Sequence, residues 1–325
     1  MNDLGSSLCL APDPAGLAEA ARLLGAGRTV AFPTETVYGL GADASDPAAV
    51  ARIYAAKERP SFNPLIAHLA DTASAQAQGV FDDAASRLAE AFWPGPLTLV
   101  VPAGAGCTVC DLARAGLASV ALRVPGNDIA RDLLARLGRP VAAPSANRSG
   151  RVSPTCAAHV LADLDGRIDA VLDGGTAPVG VESTVVACLG GEPRLLRPGG
   201  VTRAELERVL GHTLAGPEAA SATAPIGPGL LASHYAPRAR VRLDAVTTEP
   251  GEAVLRFGGV PEGGQAPAMF DLSSTRNLAE AAANLFSALR RLDASGAETI
   301  AVAPIPRDGL GEAINDRLRR AAAPR

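Results

Sequence analysis

The sequence predicts an α/β protein with two domains, and three observations support this fold class. The chain has 325 residues, which is enough for about two domains of average size. Short apolar segments alternate with helical patterns that begin at capping residues, as expected when strands and helices share a core. A stretch rich in Ala, Pro, Gly and Ser separates two such parts. We therefore predict domains at residues 1–213 and 239–325, joined by a linker at 214–238.

Capped helices and short strands alternate along the first domain. The Asp-Pro pairs at 13–14 and 46–47 each predict a helix start, because aspartate caps a helix and proline fits its first turn. Pro60 limits the second helix, since the residue before a proline avoids helical geometry. Lys57 and Arg59 therefore fall at the end of this helix and in the loop after it. The predicted strands are, in order, RTVAF, PLIAHLA, LTLVVP, SVALRVP and PVAAPSA.

The end of the first domain and the small second domain follow the same pattern. Thr202 with Glu205 spells a capping box, and Gly211 closes this last helix of the first domain. Beyond the linker come the apolar segment AVLRF, a capped helix from about Asn277 to Leu292, the segment TIAVAPI and a final helix. These elements predict a small second α/β domain.

Composition and charge exclude several classes of function. The formal net charge of −4 gives no overall attraction to nucleic acid, so any basic site must be local. No apolar run reaches the length of a membrane-spanning helix, and the N-terminus does not read as a signal peptide. Cys107 and Cys110 form one C-x-x-C pair, but a zinc site would need a second pair or nearby histidines. We interpret the five cysteines as free thiols and expect a cytoplasmic protein.

Familiar catalytic and nucleotide-binding motifs are missing. Of the 30 basic residues, Lys57 is the one lysine, and the residues before it lack the glycines of a P-loop. Gly39, Gly41 and Ala44 spell G-x-G-x-x-A, but PTETVY separates them from the preceding strand, which disfavours a dinucleotide site. Neither G-x-S-x-G nor H-E-x-x-H is present.

Polar residues instead cluster in loops that follow short apolar strands. Ligands bind at such strand ends in open α/β sheets, and hydroxyls, amides and isolated cations suit phosphates and zwitterions. Serine and asparagine in loops more often form turns, and His68 in an apolar strand is more often packed than ligating. Arg123 is stronger evidence, because a cation in an apolar strand needs an anionic partner. The candidates are Thr34, Thr36, Tyr38, Lys57, Arg59, Ser61, Asn63, Arg123, Ser145, Asn147, Ser149, Ser153, Ser183, Thr184 and Arg197.

A family resemblance covers nearly the whole chain. Its segments are, in order, FPTETVYGLGADA, KERPSFNPLIAH, FWPGPLTLVVP, VALRVP, APSANRSGRVSPT, LDGG, GVESTVV and RPGG. Together they resemble the YrdC-like domain of threonylcarbamoyl-AMP synthases, and GPGLLASHYAP resembles the linker of their long, two-domain form. The resemblance implies a twisted open mixed sheet with helices around a concave cavity, followed by a small C-terminal Rossmann-like domain.

The resemblance also implies an activity. Enzymes of this family are nucleotidyltransferases that make L-threonylcarbamoyladenylate from L-threonine, bicarbonate and ATP and release pyrophosphate. Another protein complex then transfers the threonylcarbamoyl group to adenosine 37 of tRNAs that read ANN codons. Mg²⁺ is expected to accompany the ATP, with no protein side chain assigned as its ligand.

The same resemblance assigns roles to individual residues. The expected catalytic set is Lys57, Arg59, Ser145 and Asn147. L-threonine would be held by Thr36, His68, Arg123, Ala143 and Ser183. ATP would be held by Lys57, Arg59, Asn63, Ser119, Ser145, Ser153, Arg197 and Tyr235.

The chemistry that the resemblance implies needs positioning rather than a protein nucleophile. A carbamate formed from threonine and bicarbonate attacks the α-phosphorus, so the protein binds, orients and stabilises charge. We expect Arg123 to hold the amino-acid carboxylate and Lys57 to contact phosphate at a point that a forked guanidinium does not suit. We also expect the linker to act as a lid, with Tyr235 at the nucleotide and Leu230 and Leu231 at the rim.

Two other functions are compatible with parts of this pattern. A non-catalytic relative could use the concave face to bind double-stranded RNA, which would call for a broad basic surface. A carbamoyl-transfer enzyme could combine such a domain with carbamoyl phosphate, usually alongside additional domains. Pyrophosphate release that depends on threonine and bicarbonate would separate the three possibilities.

Overall fold

The computed structural model describes residues 5–59, 63–216, 234–260 and 266–324. The strands of the first domain are β1 (Leu8–Leu10), β2 (Val30–Phe32), β3 (Gly39–Asp43), β4 (Ile66–His68), β5 (Leu97–Pro102), β6 (Ser119–Arg123), β7 (Val141–Ala142), β8 (Ala170–Leu172), β9 (Thr184–Ala187) and β10 (Arg194–Arg197). Its helices are α1 (Pro14–Gly25), α2 (Pro47–Lys57), α3 (Thr72–Gln76), α4 (Asp83–Phe92), α5 (Asp111–Arg114), α6 (Asp128–Leu137), α7 (Ala157–Leu164) and α8 (Arg203–Leu210).

These strands form one mixed sheet. Within the described ranges its strand order is β1-β8-β2-β3-β7-β4-β6-β5-β9-β10. β4 and β6 run parallel, as do β5 and β9, whereas β5 and β6 are antiparallel. Helices cover the sheet in two groups: α1 and α6 pack on β2 and β8, while α2, α4, α7 and α8 contribute to the larger core. The predicted mixed α/β fold is confirmed.

Local capping explains where the helices begin and end. The side chains of Asp13 and Asp46 each accept a bond of 2.8 Å from a backbone N–H of the first turn, as predicted for the two Asp-Pro starts. Helix α2 ends at Lys57, and Glu58 follows in the left-handed conformation. Thr202 and Glu205 form the predicted capping box of α8. These local signals were sufficient because each depends on residues only two or three positions apart.

The G-x-G-x-x-A sequence is strand β3 rather than a phosphate-binding turn. β3 lies antiparallel to β2 and is buried along its whole length. A Cβ atom on Gly41 would lie only 2.8 Å from the ring of Phe32 and 2.9 Å from Val141. Glycine is therefore required there by close packing within the sheet.

The second domain has a four-stranded parallel sheet and two helices among its described residues. Its strands are β11 (Arg240–Arg242), β12 (Ala253–Arg256), β13 (Met269–Asp271) and β14 (Thr299–Val302), in the order β11-β14-β12-β13. The helices are α9 (Leu278–Asp293) and α10 (Leu310–Ala321). Most of the predicted linker, at 217–233, lies outside the described ranges, so the domain limits stay predictions.

The second domain packs directly on the first. Val37 and Val181 of the first domain belong to the same buried apolar cluster as the side chains of α9 and α10. A partly exposed ion pair of 2.8 Å between Arg203 of α8 and Glu312 of α10 also joins the domains. No helix among the described residues is long and apolar enough to cross a membrane. The contact at Val37 and Val181 brings the second domain next to the polar loops described below.

Candidate active site

One face of the central strands carries polar side chains at one end and aliphatic side chains beyond them. Alternate side chains of a strand share a face, so His68 and Arg123, which are paired in register on β4 and β6, lie side by side. The hydroxyl groups of Thr98 and Ser183 are 2.8 Å apart at the same end of β5 and β9. Six aliphatic residues cluster next to them: Ile66, Val100, Ala121, Val185, Ala187 and Leu196.

A cavity of about 630 Å³ of empty space opens at the polar end of this face. Ten residues predicted to bind threonine or ATP line it, although they come from loops far apart in the sequence. They are Thr36, Arg59, Asn63, His68, Arg123, Ala143, Ser145, Ser183, Arg197 and Tyr235.

Arg123 is held by an acid that the sequence analysis did not select. Its guanidinium donates to a carboxylate oxygen of Glu35 at 2.7 Å and to the hydroxyl of Thr36 at 2.9 Å. Burial alone would raise the pKa of Glu35, but the charge of Arg123 and the bond from it bring that pKa below its usual value. A carboxylate between two threonines in the segment TET was the available signal. The pair fixes a buried cation at the wall of the cavity.

Two further arginines, Arg59 and Arg197, add positive charge to the wall. The guanidinium of Arg197 donates to the carbonyl oxygen of Ser183 at 2.9 Å and to its hydroxyl at 3.1 Å. The Nε atom of Arg59 is buried without a hydrogen-bond partner among the described residues. Burial lowers the pKa of Arg59 to about 10, so it remains a cation at neutral pH. Buried guanidinium groups of this kind favour an anionic ligand.

Lys57 lies behind the cavity wall rather than in it. Its side chain is 1% exposed. The ammonium donates to the backbone carbonyl of Ser145 at 2.5 Å and also to that of Asn147. Burial, together with the charge of Arg59, lowers the pKa of Lys57 well below its usual value. Lys57 thus ties the end of α2 to the loop that carries the predicted catalytic serine and asparagine.

Three other predicted residues also lie outside the wall. Asn147 is fully buried, and its amide donates to two backbone carbonyls of its own loop. The hydroxyl of Ser153 donates to Glu182 at 2.5 Å, and Glu182 lines the cavity. Ser119 is at the far end of β6 from Arg123, but on the same face as Ala121 of the aliphatic cluster. Ser119 therefore lies on the same face of the sheet as the cavity but away from its polar end.

Histidine side chains at the cavity are neutral at physiological pH. His68 shares a hydrogen bond of 3.2 Å between its Nδ1 and the carbonyl of Ile66 and is packed edge-on against Phe32. Burial and the neighbouring charge of Arg123 lower the pKa of His68 to about 3. Burial likewise lowers the pKa of His234, a wall residue not selected from the sequence, to about 3. Neither ring competes with the arginines for an anion.

Of the three residues named for the predicted lid, Tyr235 is the one that the structure describes. It is 2% exposed, lines the cavity, and has a left-handed backbone with a φ of 62°. Its ring is stacked on Phe286 of the second domain with the ring centres 5.5 Å apart. Ser61, Leu230 and Leu231, also named from the sequence, lie outside the described residues.

Comparisons with known proteins agree with this geometry. Residues 22–199 match the family model described as "Telomere recombination", and residues 201–323 match "Threonylcarbamoyl-AMP synthase, C-terminal domain". The threonylcarbamoyl-AMP synthase of Bacillus subtilis is 42% identical over 325 residues, covering 95% of this chain and 93% of that protein. The enzyme of the same name from Pyrococcus abyssi is 42% identical over 319 residues, covering 93% of each.

Solved structures extend the comparison to the fold. The crystal structure of Pyrococcus abyssi Sua5 complexed with L-threonine matches with a TM-score of 0.89 and 37% identity, over 97% of each chain. Escherichia coli YciO, at 22% identity and a TM-score of 0.50, covers 59% of this chain and 94% of its own, which supports the fold of the first domain only. The family models span both domains, and the relatives match along nearly the full length. The chain belongs to the threonylcarbamoyl-AMP synthase family, in its two-domain form.

Proposed function

We propose that this protein makes L-threonylcarbamoyladenylate from L-threonine, bicarbonate and ATP, and that the cavity lined by Arg59, Arg123 and Arg197 is where it does so. The observation that carries the proposal is the convergence of ten predicted ligand-binding residues, from loops far apart in the sequence, on one cavity. The threonine set and the ATP set meet there, which is what a condensation of the two substrates requires.

The polar end of the sheet suits a small amino acid. Arg123 presents a buried guanidinium to the carboxylate of threonine, and Glu35 holds that guanidinium in place. Neutral His68 and the hydroxyls of Thr36 and Ser183 are available for the amine and hydroxyl groups of threonine. Glu35 neutralises the charge of Arg123 when no ligand is bound. The carboxylate of the ligand would therefore share the guanidinium of Arg123 with Glu35.

ATP fits the remainder of the wall. Arg59 and Arg197 provide positive charge for the phosphates, and Asn63 and Ser145 provide further polar groups. We assign the adenosine to the side of the cavity next to Ile66, the member of the aliphatic cluster that lines it, where a flat apolar base can pack.

Mg²⁺ is expected to arrive on the triphosphate. The described residues hold no group of three or more His, Cys, Asp or Glu placed to bind an ion, and the carboxylate of Glu182 is already bonded to Ser153. The phosphate oxygens of ATP would therefore be its main ligands, and the bound ion would neutralise phosphate charge.

The chemistry requires little more than position and charge. The amine of threonine and bicarbonate combine to a carbamate with loss of water. A carbamate oxygen then bonds to the α-phosphorus as the bond to pyrophosphate breaks. The buried arginines stabilise the growing charge on the phosphates, and a closed cavity protects the labile carbamate from water. None of these steps uses a protein nucleophile.

We further propose that the product passes to a separate protein complex that modifies adenosine 37 of tRNAs, and that the protein works in the cytoplasm. All five cysteines are free thiols, which suits a reducing compartment.

The two rival functions fit the site less well. An RNA-binding surface needs exposed basic residues, whereas Arg123 and Arg197 are 3% and 5% exposed. A carbamoyl-transfer enzyme would not need a threonine site.

The test measures release of pyrophosphate from ATP with purified protein, with threonine or bicarbonate omitted in turn. We expect release only when both are present, together with a new nucleotide product that contains threonine. Serine, valine and carbamoyl phosphate are the control substrates. Turnover with carbamoyl phosphate in place of threonine and bicarbonate, or pyrophosphate release without threonine, would contradict the proposal.

A further inference from the structure

Arg317 of helix α10 is a fully buried cation that crosses from the second domain into the wall of the first. Its side chain is 0% exposed, and its Nε donates to Glu182 at 2.8 Å. Its Nη1 donates to the carbonyl of Pro198 at 2.7 Å, and the guanidinium lies 5.5 Å from the ring centre of Tyr235. Arg317 does not line the cavity, but Glu182 and Tyr235 both do.

Glu182 presents a problem for a site that takes ATP. It is the one carboxylate among the described residues that line the cavity, which otherwise carries three arginines. A free carboxylate there would repel a triphosphate or pair with an arginine that the phosphates need. Arg197 is close enough to act on the charge of Glu182, since it contributes to lowering the pKa of that carboxyl.

The two oxygens of Glu182 are both engaged away from the arginines of the wall. One accepts from Ser153 at 2.5 Å and the other from Arg317. Burial alone would raise the pKa of Glu182, but the charges of Arg317 and Arg197 and these bonds lower it to about 2. Glu182 therefore stays ionised, and its charge is balanced from behind the wall.

We propose that Arg317 is a positioning residue through which the second domain enables ATP binding: it neutralises Glu182 and holds the ring of Tyr235, so that Arg59 and Arg197 remain available to phosphate. Tyr235 has a left-handed backbone, which persists only where neighbouring groups fix it. Arg317 and Phe286, both from the second domain, contact its ring. This inference rests on the proposed function of the cavity.

The test compares Arg317→Met with the double variant Glu182→Gln, Arg317→Met by measuring the dissociation constant for ATP directly. Loss of Arg317 alone leaves Glu182 free to pair with Arg197, so we expect ATP to bind at least about tenfold more weakly. Replacing the carboxylate of Glu182 by an amide removes the group that competes with phosphate for Arg197. The double variant should therefore recover at least half of the lost ATP affinity, measured on a logarithmic scale. A merely structural role of Arg317 would give no such recovery.

Glu312→Gln is the matched control, because Glu312 lies on the same helix and makes another ion pair between the domains, one that lies outside the cavity. It should leave ATP affinity within about threefold of wild type. If Arg317→Met does not fold, Arg317→Gln takes its place, because it also removes the charge, with the same recovery expected from Glu182→Gln. ATP affinity unchanged in the single variant, or a double variant no better than the single, would overturn the inference. Wild-type protein that binds ATP but shows no threonine-dependent release of pyrophosphate would overturn the proposed function instead.

Discussion

The ammonium of Lys57 donates a hydrogen bond of 2.5 Å to the carbonyl oxygen of Ser145, a residue of the cavity wall. The same ammonium also bonds to the carbonyl of Asn147. A compact ammonium with three donors can reach the carbonyls of two residues that lie two positions apart, whereas a planar guanidinium is larger and directs its donors in a fixed fork. This contact gives a physical reason for a lysine here in a chain whose other basic residues are arginines.

Lys57→Ala is therefore expected to slow adenylate formation by about ten- to a thousandfold, the range for loss of a group that organises charge in an active site. Lys57→Arg should be impaired as well, because it keeps the charge but not the shape. Arg52→Ala, on the exposed side of the same helix, is the control. Pyrophosphate release and thermal unfolding are measured together. Near-normal turnover in a folded Lys57→Ala protein would show that neither the loop contact nor the phosphate contact predicted from the sequence matters.

Arg123→Leu should raise the KM for threonine far more than the KM for ATP. The substitution removes the proposed carboxylate ligand and leaves Glu35 buried without its partner. Loss of one member of a buried pair costs on the order of 3 to 5 kcal/mol, so stability should fall too. Glu35→Gln, Arg123→Leu removes both charges and separates the two effects: stability should recover, but threonine binding should not. A raised KM for ATP with an unchanged KM for threonine would mean that Arg123 serves the nucleotide.

The sequence was sufficient for features that depend on neighbouring residues. The Asp-Pro helix starts and the capping box at Thr202 are confirmed because their partners are two or three positions away. Strands β1 and β8 were missed, because the short segments LCL and AVL do not stand within longer apolar runs of the kind that marked β4 and β5.

Site residues that depend on tertiary pairing were harder to find. Glu35 and Glu182 look like ordinary acids in polar loops, and only the fold shows that Arg123 and Arg317 neutralise them. Arg317 itself sits in the segment DRLRR, which looks like the charged face of an exposed helix. Docking of the second domain buries it, and no local pattern reports that contact.

Stability should fall as the pH drops below about 6.5, partly because of His68. Its pKa in the folded protein is about 3, well below the ordinary histidine pKa of 6.5, so the unfolded chain takes up a proton that the folded chain does not. The contribution of His68 to the free energy of unfolding is complete above pH 6.5. It is lost as the pH falls towards 3, by about 1.4 kcal/mol per pH unit for one such group.

The variant His68→Gln tests this contribution. It should reduce the number of protons taken up on unfolding at pH 5 by about one, measured from the slope of the unfolding free energy against pH. His212→Gln, at an exposed position, provides the comparison. A slope unaffected by His68→Gln would show that this ring is not buried as a neutral group.

Tyr235→Ala should weaken ATP binding and increase unproductive loss of the intermediate, because it removes a buried wall of the cavity. The lid interpretation further predicts that proteases cut residues 225–238 more slowly when ATP and threonine are added together. Cleavage elsewhere in the chain serves as the internal reference. Equal rates of cleavage with and without ligands would show that the segment only connects the two domains and that Tyr235 is a fixed part of the cavity wall.

Gly180 tests whether contact between the domains controls the active site. Its φ is 75°, and a Cβ atom there would lie 2.3 Å from the carbonyl oxygen of Ala282 and 2.4 Å from the Cα of Ala283, both in α9. Because those atoms belong to a helix backbone, they cannot move aside without shifting the second domain. Gly180→Ala is therefore expected to loosen the docking of α9, which carries Phe286, and so to weaken ATP binding by about tenfold or more.

Backbone strain alone must be separated from this clash. Gly190 has a similar φ of 87°, but a Cβ atom there would meet nothing within 4 Å. Gly190→Ala should thus show only the cost of the left-handed backbone, roughly 1–2 kcal/mol, with ATP affinity unchanged. If docking is the cause, Gly180→Ala should also unfold in two separate transitions and expose the domain junction to proteases, while Gly190→Ala unfolds as the wild type does. Equal ATP affinity in the two variants would mean that the second domain can shift without affecting the cavity, and would argue against its role in forming the site.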